Sequence, residues 1–243
     1  MKHTLEICVG SLEHAVAAER AGADRIELCA GLAVGGTTPR VELMKAVRDA
    51  VRISIYAMIR PRGGSFAYSA EEFATMKQDI LQAKECGMNG VVLGILDAEG
   101  RVDVPRTKEL VDLARPLPVT FHRAFDEVRD LPVALEAVIA TGARRILTAG
   151  GEVQALDGLI VLEQLVNQAG QRIAILPGAG IDADNVVQIM ERTRVREVHA
   201  SLGLAGASSE GSSDPSSGIA EWEQKVRALR AALDGISVSK TVV

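Results

Sequence analysis

A chain of 243 residues is long enough to build one large core, and closed barrels of eight strand–helix units are typically of this size. Hydrophobic residues make up 47% but aromatics only 3%, so the core must come from Ala, Val, Leu and Ile. A net charge of −5, with no basic stripe or aromatic–basic interleaving, argues against a phosphate-backbone partner and leaves no expectation of nucleic-acid binding.

The opening Met-Lys-His-Thr leads straight into a strand-like pattern without the apolar stretch of a secretory signal. No apolar run approaches the roughly 18–20 residues of a membrane span. A cytoplasmic location is the expectation, with Cys8, Cys29 and Cys86 as reduced thiols. Strand-type runs are expected near 5–9, 25–29, 53–60, 90–96, 118–124, 144–150, 173–179 and 197–203, each followed by a helical pattern. Ala-Gly-Ala-Asp (21–24), Cys-Gly-Met-Asn (86–89) and Thr-Gly-Ala-Arg (141–144) place Gly where a helix ends just before the next strand. Eight such units, with no composition break between them, favour a single-domain (β/α)8 barrel spanning residues 1–243 over a doubly wound open sheet. Gly203 to Gly218 is rich in Gly and Ser and is expected to be a flexible loop before a last helix at about 219–233, serving as a linker or as a lid.

Side chains alternate along a strand, so in a barrel one parity faces the helices and the other the interior. Assigning Leu5, Ile7 and Val9 to the helix side turns Glu6 and Cys8 inward, and Ile26 and Leu28 likewise turn Arg25, Glu27 and Cys29 inward. The third strand leaves Ser54, Tyr56, Met58 and Arg60 inside; later strands contribute Thr120, His122, Thr148, His199 and Ser201. So many polar groups exceed the needs of an ordinary core, because a buried charge without a partner costs several kcal/mol. Part of the set is expected to be ion pairs that brace the barrel, such as Arg25 with Glu6 or Glu27.

The same groups have chemical uses. Glu6, Glu27, His122 and His199 are candidate acids and bases. Arg60 and Arg62, in Met-Ile-Arg-Pro-Arg-Gly-Gly (58–64), suit a carboxylate or phosphate. The charged strand end Thr-Phe-His-Arg-Ala-Phe-Asp (120–126) adds Arg123 and Asp126 as candidate catalytic groups. Gly150 and Gly151 after the sixth strand, and Gly178 and Gly180 after the seventh, free backbone N–H groups where barrel enzymes commonly hold phosphate; their plainer reading is tight turns. Cys8 and Cys29 fall at equivalent places on neighbouring strands, about 4.8 Å apart, and two thiolates suit a soft ion such as Cu(I). Cys86 reads as a small hydrophobe.

Together, Gly-Ala-Asp-Arg-Ile-Glu-Leu-Cys (22–29), segments 58–64 and 120–126, Arg-Ile-Leu-Thr (145–148) and His-Ala-Ser (199–201) resemble the CutC family of copper homeostasis proteins. Ser65, Gly-Gly-Thr-Thr-Pro (35–39) and Leu-Thr-Ala-Gly-Gly (147–151) are small departures from its usual forms. The resemblance implies a TIM barrel, a cytoplasmic copper-binding protein with Cu(I) on Cys8 and Cys29, and a homodimer or higher homo-oligomer. The alternative is a barrel enzyme acting on a small anionic metabolite, phosphorylated or not, with Arg60 and Arg123 holding the anion while Glu27 and His122 handle protons.

Overall fold

In the computed structural model, residues 2–204 and 215–236 are described. Eight parallel strands alternate with eight helices: β1 (Thr4–Val9), α1 (Leu12–Arg20), β2 (Arg25–Leu28), α2 (Val41–Ala50), β3 (Ser54–Met58), α3 (Ala70–Glu85), β4 (Gly90–Leu93), α4 (Val104–Ala114), β5 (Val119–Phe121), α5 (Leu131–Thr141), β6 (Arg145–Thr148), α6 (Leu159–Ala169), β7 (Ala174–Pro177), α7 (Val186–Thr193), β8 (Glu197–Ala200) and α8 (Pro215–Asp234). The ladders run β7-β6-β5-β4-β3-β2-β1-β8, and β7 lies against β8 to complete the ring. The chain is a (β/α)8 TIM barrel.

Local chemistry starts and stops the helices where the sequence indicates. Ser11 caps α1, Ser69 and Glu72 form a capping box on α3, and Asp103 and Asp130 cap α4 and α5, each of which has Pro in its first turn. Gly22, Gly87 and Gly142 all have positive φ, the conformation needed to leave a helix and enter the next strand, as their motifs imply.

The strands are shorter than the apolar runs. Beyond Phe121, residues Arg123–Glu127 form a 3₁₀ turn, with His122 Nδ1 accepting the Ala124 N–H at 3.2 Å. Hydrophobicity continues past the last ladder bond because the loops at this end are themselves packed, with Ala124 and Phe125 fully buried. Helix α8 begins at 215, ahead of the expected 219, with Pro at its first position. Residues 205–214, which carry most of the expected 203–218 loop, lie outside the described residues.

Parity divides the interior as expected in most strands. Leu5, Ile7, Val9, Ile26, Leu28 and Ile55 join the helix-facing core, while Cys8, Cys29, Tyr56, Met58 and Val92 form a separate inner cluster. Thr148 is the correction. In β6, Arg145 and Leu147 take the inward parity, Leu147 lines the interior cavity, and the Thr148 hydroxyl instead turns to Asp126. Ser54, assigned to the interior, is exposed at the start of β3.

Around Tyr56 the interior is filled and leaves little slack. A Cβ added at Gly90 would lie 2.5 Å from Tyr56 Cε2, and that ring lies under two guanidinium groups at 5.0 and 5.1 Å. Gly90→Ala should therefore destabilise the fold by about 1–3 kcal/mol through overpacking, more than the roughly 0.4–1 kcal/mol gained by stiffening the unfolded chain. An unchanged urea midpoint would show that Tyr56 has room to move.

Candidate functional site

Inward side chains stack in three levels, from the amino-terminal end of the strands to their carboxyl-terminal end. The lowest level is ionic. Arg25 pairs with Glu6 through Nε and with Glu197 through Nη2 at 2.6 Å, and Arg145 Nε approaches Glu197 at 3.3 Å. Two cations thus face two carboxylates, and both guanidinium groups lie over the Tyr56 ring. Burial alone would raise the Glu6 carboxyl, but Arg25 and His199 outweigh it and hold it at about 2. Arg145 and Glu197 were not among the candidates from sequence. Glu197 shares the parity of His199 and was legible by the same rule; Arg145 was obscured because Thr148 set the wrong phase for β6.

The middle level holds the thiols. His199 Nδ1 lies 2.8 Å from Glu6 Oε1, so Nδ1 carries the donated proton, and Nε2 lies 3.9 Å from Glu27 Oε2. Burial disfavours the imidazolium, but Glu27 and Glu6 outweigh it and raise the His199 pKa. Glu27 is itself pushed up by burial, against the pull of His199 and with the repulsion of Glu6 added, and its Oε1 has no partner. Cys8 Sγ lies 3.9 Å from Cys29 Sγ, which in turn lies 3.6 Å from Glu27 Oε2. The contact with Cys29 lowers the Cys8 thiol, yet burial and Glu27 outweigh it and raise it above its ordinary range. Cys29 is raised well above that range by its bond with Cys8, by burial and by Glu27.

Ligand atoms of Cys8, Glu27 and His199 all lie within 4.8 Å of one another, with Cys29 beside them. This is a donor set of two soft sulfurs, one imidazole nitrogen and one carboxylate. Soft monovalent copper prefers the sulfurs, and the imidazole is compatible with it. The residues present fit such an ion.

The upper level is a cavity of ≈ 170 Å³ at the carboxyl-terminal end of the strands. Cys8, Glu27 and His199 form part of its lining, and Arg60, Phe66, His122 and Arg123 form another part. Barrel enzymes keep their chemistry at this end. Arg123, reaching in from the rim, is bound to Asp126 at 2.7 Å and to the Glu152 carbonyl at 3.0 Å. Arg62 does not enter: Glu72 and the carbonyls of Gly63, Ser65 and Ala67 take up its guanidinium.

The glycine loop after β6 is already occupied by the chain's own groups. Asp126 accepts the Thr148 hydroxyl and the N–H groups of Ala149 and Gly151, and Gly150 N–H goes to Thr148 Oγ1 at 2.9 Å. The anion in that loop is therefore the Asp126 carboxylate. Gly178 N–H bonds to the Thr148 carbonyl, and a Cβ there would lie 2.5 Å from Leu147 Cδ1 and 3.3 Å from His199 Cβ, so the glycine makes room for the cavity wall. The Gly180 carbonyl accepts the Asn185 side-chain amide at 2.7 Å, at the start of α7. Cys86 is buried at the end of α3, away from the cavity lining.

The CutC family model matches residues 3–204. The copper homeostasis protein cutC homolog of Mus musculus is 49% identical over 197 residues, 81% of this chain and 72% of that protein. A family protein CutC of Chromobacterium violaceum is 44% identical over 245 residues, 96% of this chain and 99% of the relative. A solved Streptococcus agalactiae chain described as a copper homeostasis CutC protein superposes with a TM-score of 0.78 at 34% identity, over 82% of this chain and 98% of that one.

The ionic level sets a pH dependence. Because the folded Glu6 pKa is depressed from 4.5 to about 2, its stabilising contribution is complete above 4.5 and is lost as pH falls towards 2. Glu6→Gln leaves Arg25 and His199 short of a charge and should cost about 3–5 kcal/mol at neutral pH. The gap between wild type and variant should narrow through that acid window. Denaturant melts at a series of pH values test this, and a gap that stays constant from neutral pH to pH 2 would contradict the assignment.

Proposed function

The chain belongs to the CutC family, and on that premise we propose that it is a copper homeostasis protein holding Cu(I) on the interior thiols Cys8 and Cys29. The reading rests chiefly on one observation: the two sulfurs lie 3.9 Å apart inside the barrel with Glu27 and His199 donors beside them. Cys8 borders the cavity and would meet an entering ion first, with Cys29, 1% exposed, behind it. His199 Nε2 is the nearest nitrogen donor, its ring held by the Nδ1 bond to Glu6, in the way that a hydrogen bond on one ring nitrogen orients the other towards a metal.

The neighbours also account for the protons. Both thiols are raised and so carry hydrogen in the metal-free protein at neutral pH, whereas the ligand form is the thiolate. Glu27 Oε2 accepts the Cys29 thiol at 3.6 Å and is the atom placed to receive its proton. The proposal includes a cytoplasmic location, where the redox poise keeps thiols reduced, and assembly as a homodimer or higher homo-oligomer. Among the described residues no helix is long and apolar enough to cross a membrane.

Anaerobic Cu(I) titration against a competing chelator tests the site. The Cys8→Ser/Cys29→Ser double variant should bind at least about a hundredfold more weakly than wild type, and equal affinity in both would exclude these thiols. Since binding must displace protons, wild-type affinity should rise between about pH 6 and 8; a flat profile would mean that the ligands are not these raised thiols.

A further inference from the structure

We infer that the cavity at the carboxyl-terminal end of the barrel binds a small organic monoanion, its carboxylate held between Arg60 and His122. This site lies above the thiols and does not depend on copper occupying them.

Three arginines of the described residues are buried: Arg25, Arg60 and Arg230. Arg25 pairs with Glu6 and Glu197, and Arg230 pairs with Asp24 and Asp234. Arg60 differs. Its Nη1 donates to the carbonyls of Val34 and Gly36 at 2.8 and 3.0 Å, its Nη2 donates to that of Gly64 at 3.0 Å, and the group lies 4.7 Å over the Phe66 ring. Among the described residues no carboxylate joins it, and its Nε–H, with the Tyr68 hydroxyl nearby, makes no hydrogen bond of good geometry. Carbonyl dipoles fix the position of the guanidinium without cancelling its charge. A buried cation left in that state costs several kcal/mol, and an anion in the adjoining cavity removes that cost.

His122 supplies a second donor. Its Nδ1 accepts the Ala124 N–H, which puts the ring proton on Nε2, and Nε2 has no partner. Burial and the nearby Arg60 push its pKa down to about 3, so the ring is a neutral donor across the physiological range. Both side chains pack on Phe66, are 5% and 4% exposed and line the same cavity. Two unpaired N–H groups, on side chains that share the Phe66 ring, are the pair of donors that a carboxylate's two oxygens require.

Charge and volume narrow the ligand. One guanidinium and one neutral imidazole balance a single negative charge, whereas a phosphate dianion would leave a charge unmatched because Arg123 already pairs with Asp126. A cavity of ≈ 170 Å³ compares with the roughly 150 Å³ that holds benzene, which allows about six heavy atoms. Leu32, Met58 and Phe66 offer an apolar wall to a short carbon chain.

Isothermal titration of the full metal-free chain with a panel of short aliphatic, 2-hydroxy and 2-oxo monocarboxylates, and with inorganic phosphate, tests the site. At least one monocarboxylate should bind saturably and more tightly than phosphate. Arg60→Gln and His122→Phe should each weaken binding by about tenfold or more, the loss of a charge-assisted hydrogen bond. Because Arg60 also ties three backbone carbonyls, His122→Phe is the deciding variant: it keeps the aromatic contact with Phe66 and removes the Nε2 donor together with the Nδ1 acceptor of the Ala124 N–H, so a thermal melt accompanies the titration to show that the variant is folded. Failure of every monocarboxylate to bind wild type, tighter binding of phosphate, or undiminished binding by His122→Phe would each overturn the proposal. None of these outcomes bears on Cu(I) affinity, so the two sites stand or fall separately.

Discussion

The ion pair between Arg25 and Glu6 is the interaction on which the interior depends. Closing eight parallel strands into a ring drives alternate side chains into a space almost free of water, where an isolated charge is costly. By answering Arg25, Glu6 stays ionised, and an ionised Glu6 fixes the protonated Nδ1 of His199 at 2.8 Å. That bond in turn aims Nε2 at Glu27 and the thiols. A structural brace at one end of the barrel thus sets the orientation of the His199 Nε2 atom in the middle of it.

The arrangement separates three tasks by height along the strands. Arginines, carboxylates and Tyr56 close the lower end; the middle carries soft donors whose protons are held on by burial; the upper end keeps a cavity with donors that the protein does not satisfy. The proposed copper site and the proposed anion site share one entrance but draw on different residues. Cys8, Glu27 and His199 line the cavity from below, while Arg60 and His122 line it beside Phe66. Such stacking follows from strand geometry, since successive inward residues are two positions apart along each strand.

The charged segment that ends the fifth strand illustrates how neighbouring residues acquire unrelated roles. His122 turns to the cavity, whereas Asp126 folds back to hold the loop after β6 and Arg123 anchors to Asp126. A motif that reads as one catalytic cluster therefore divides into a donor, a loop clamp and a rim group. The glycines after β6 are spent in the same clamp, which is why their N–H groups do not face the cavity as free donors.

Much was legible from sequence because it follows from local rules. Periodicity gave eight strand–helix units, glycine positions gave the turns, and two-residue alternation brought Glu6, Cys8, Arg25, Glu27, Cys29, Arg60, His122 and His199 to the interior. Alternation fails where a strand's phase is set by one misleading residue, as Thr148 did for β6, and where the ladder ends before the hydrophobic run does. What only the tertiary structure decided is which of these charges answer one another. Arg25 meets Glu197 across 172 positions of sequence and His199 meets Glu6 across 193, whereas among the described residues Arg60 meets backbone carbonyls and the Phe66 ring but no carboxylate. Hydrogen bonds act over about 3 Å, and distances of that order between residues so far apart are fixed by ring closure and strand register. The sequence determined which side chains enter the barrel; their partners, and the donors left without one, were set by packing.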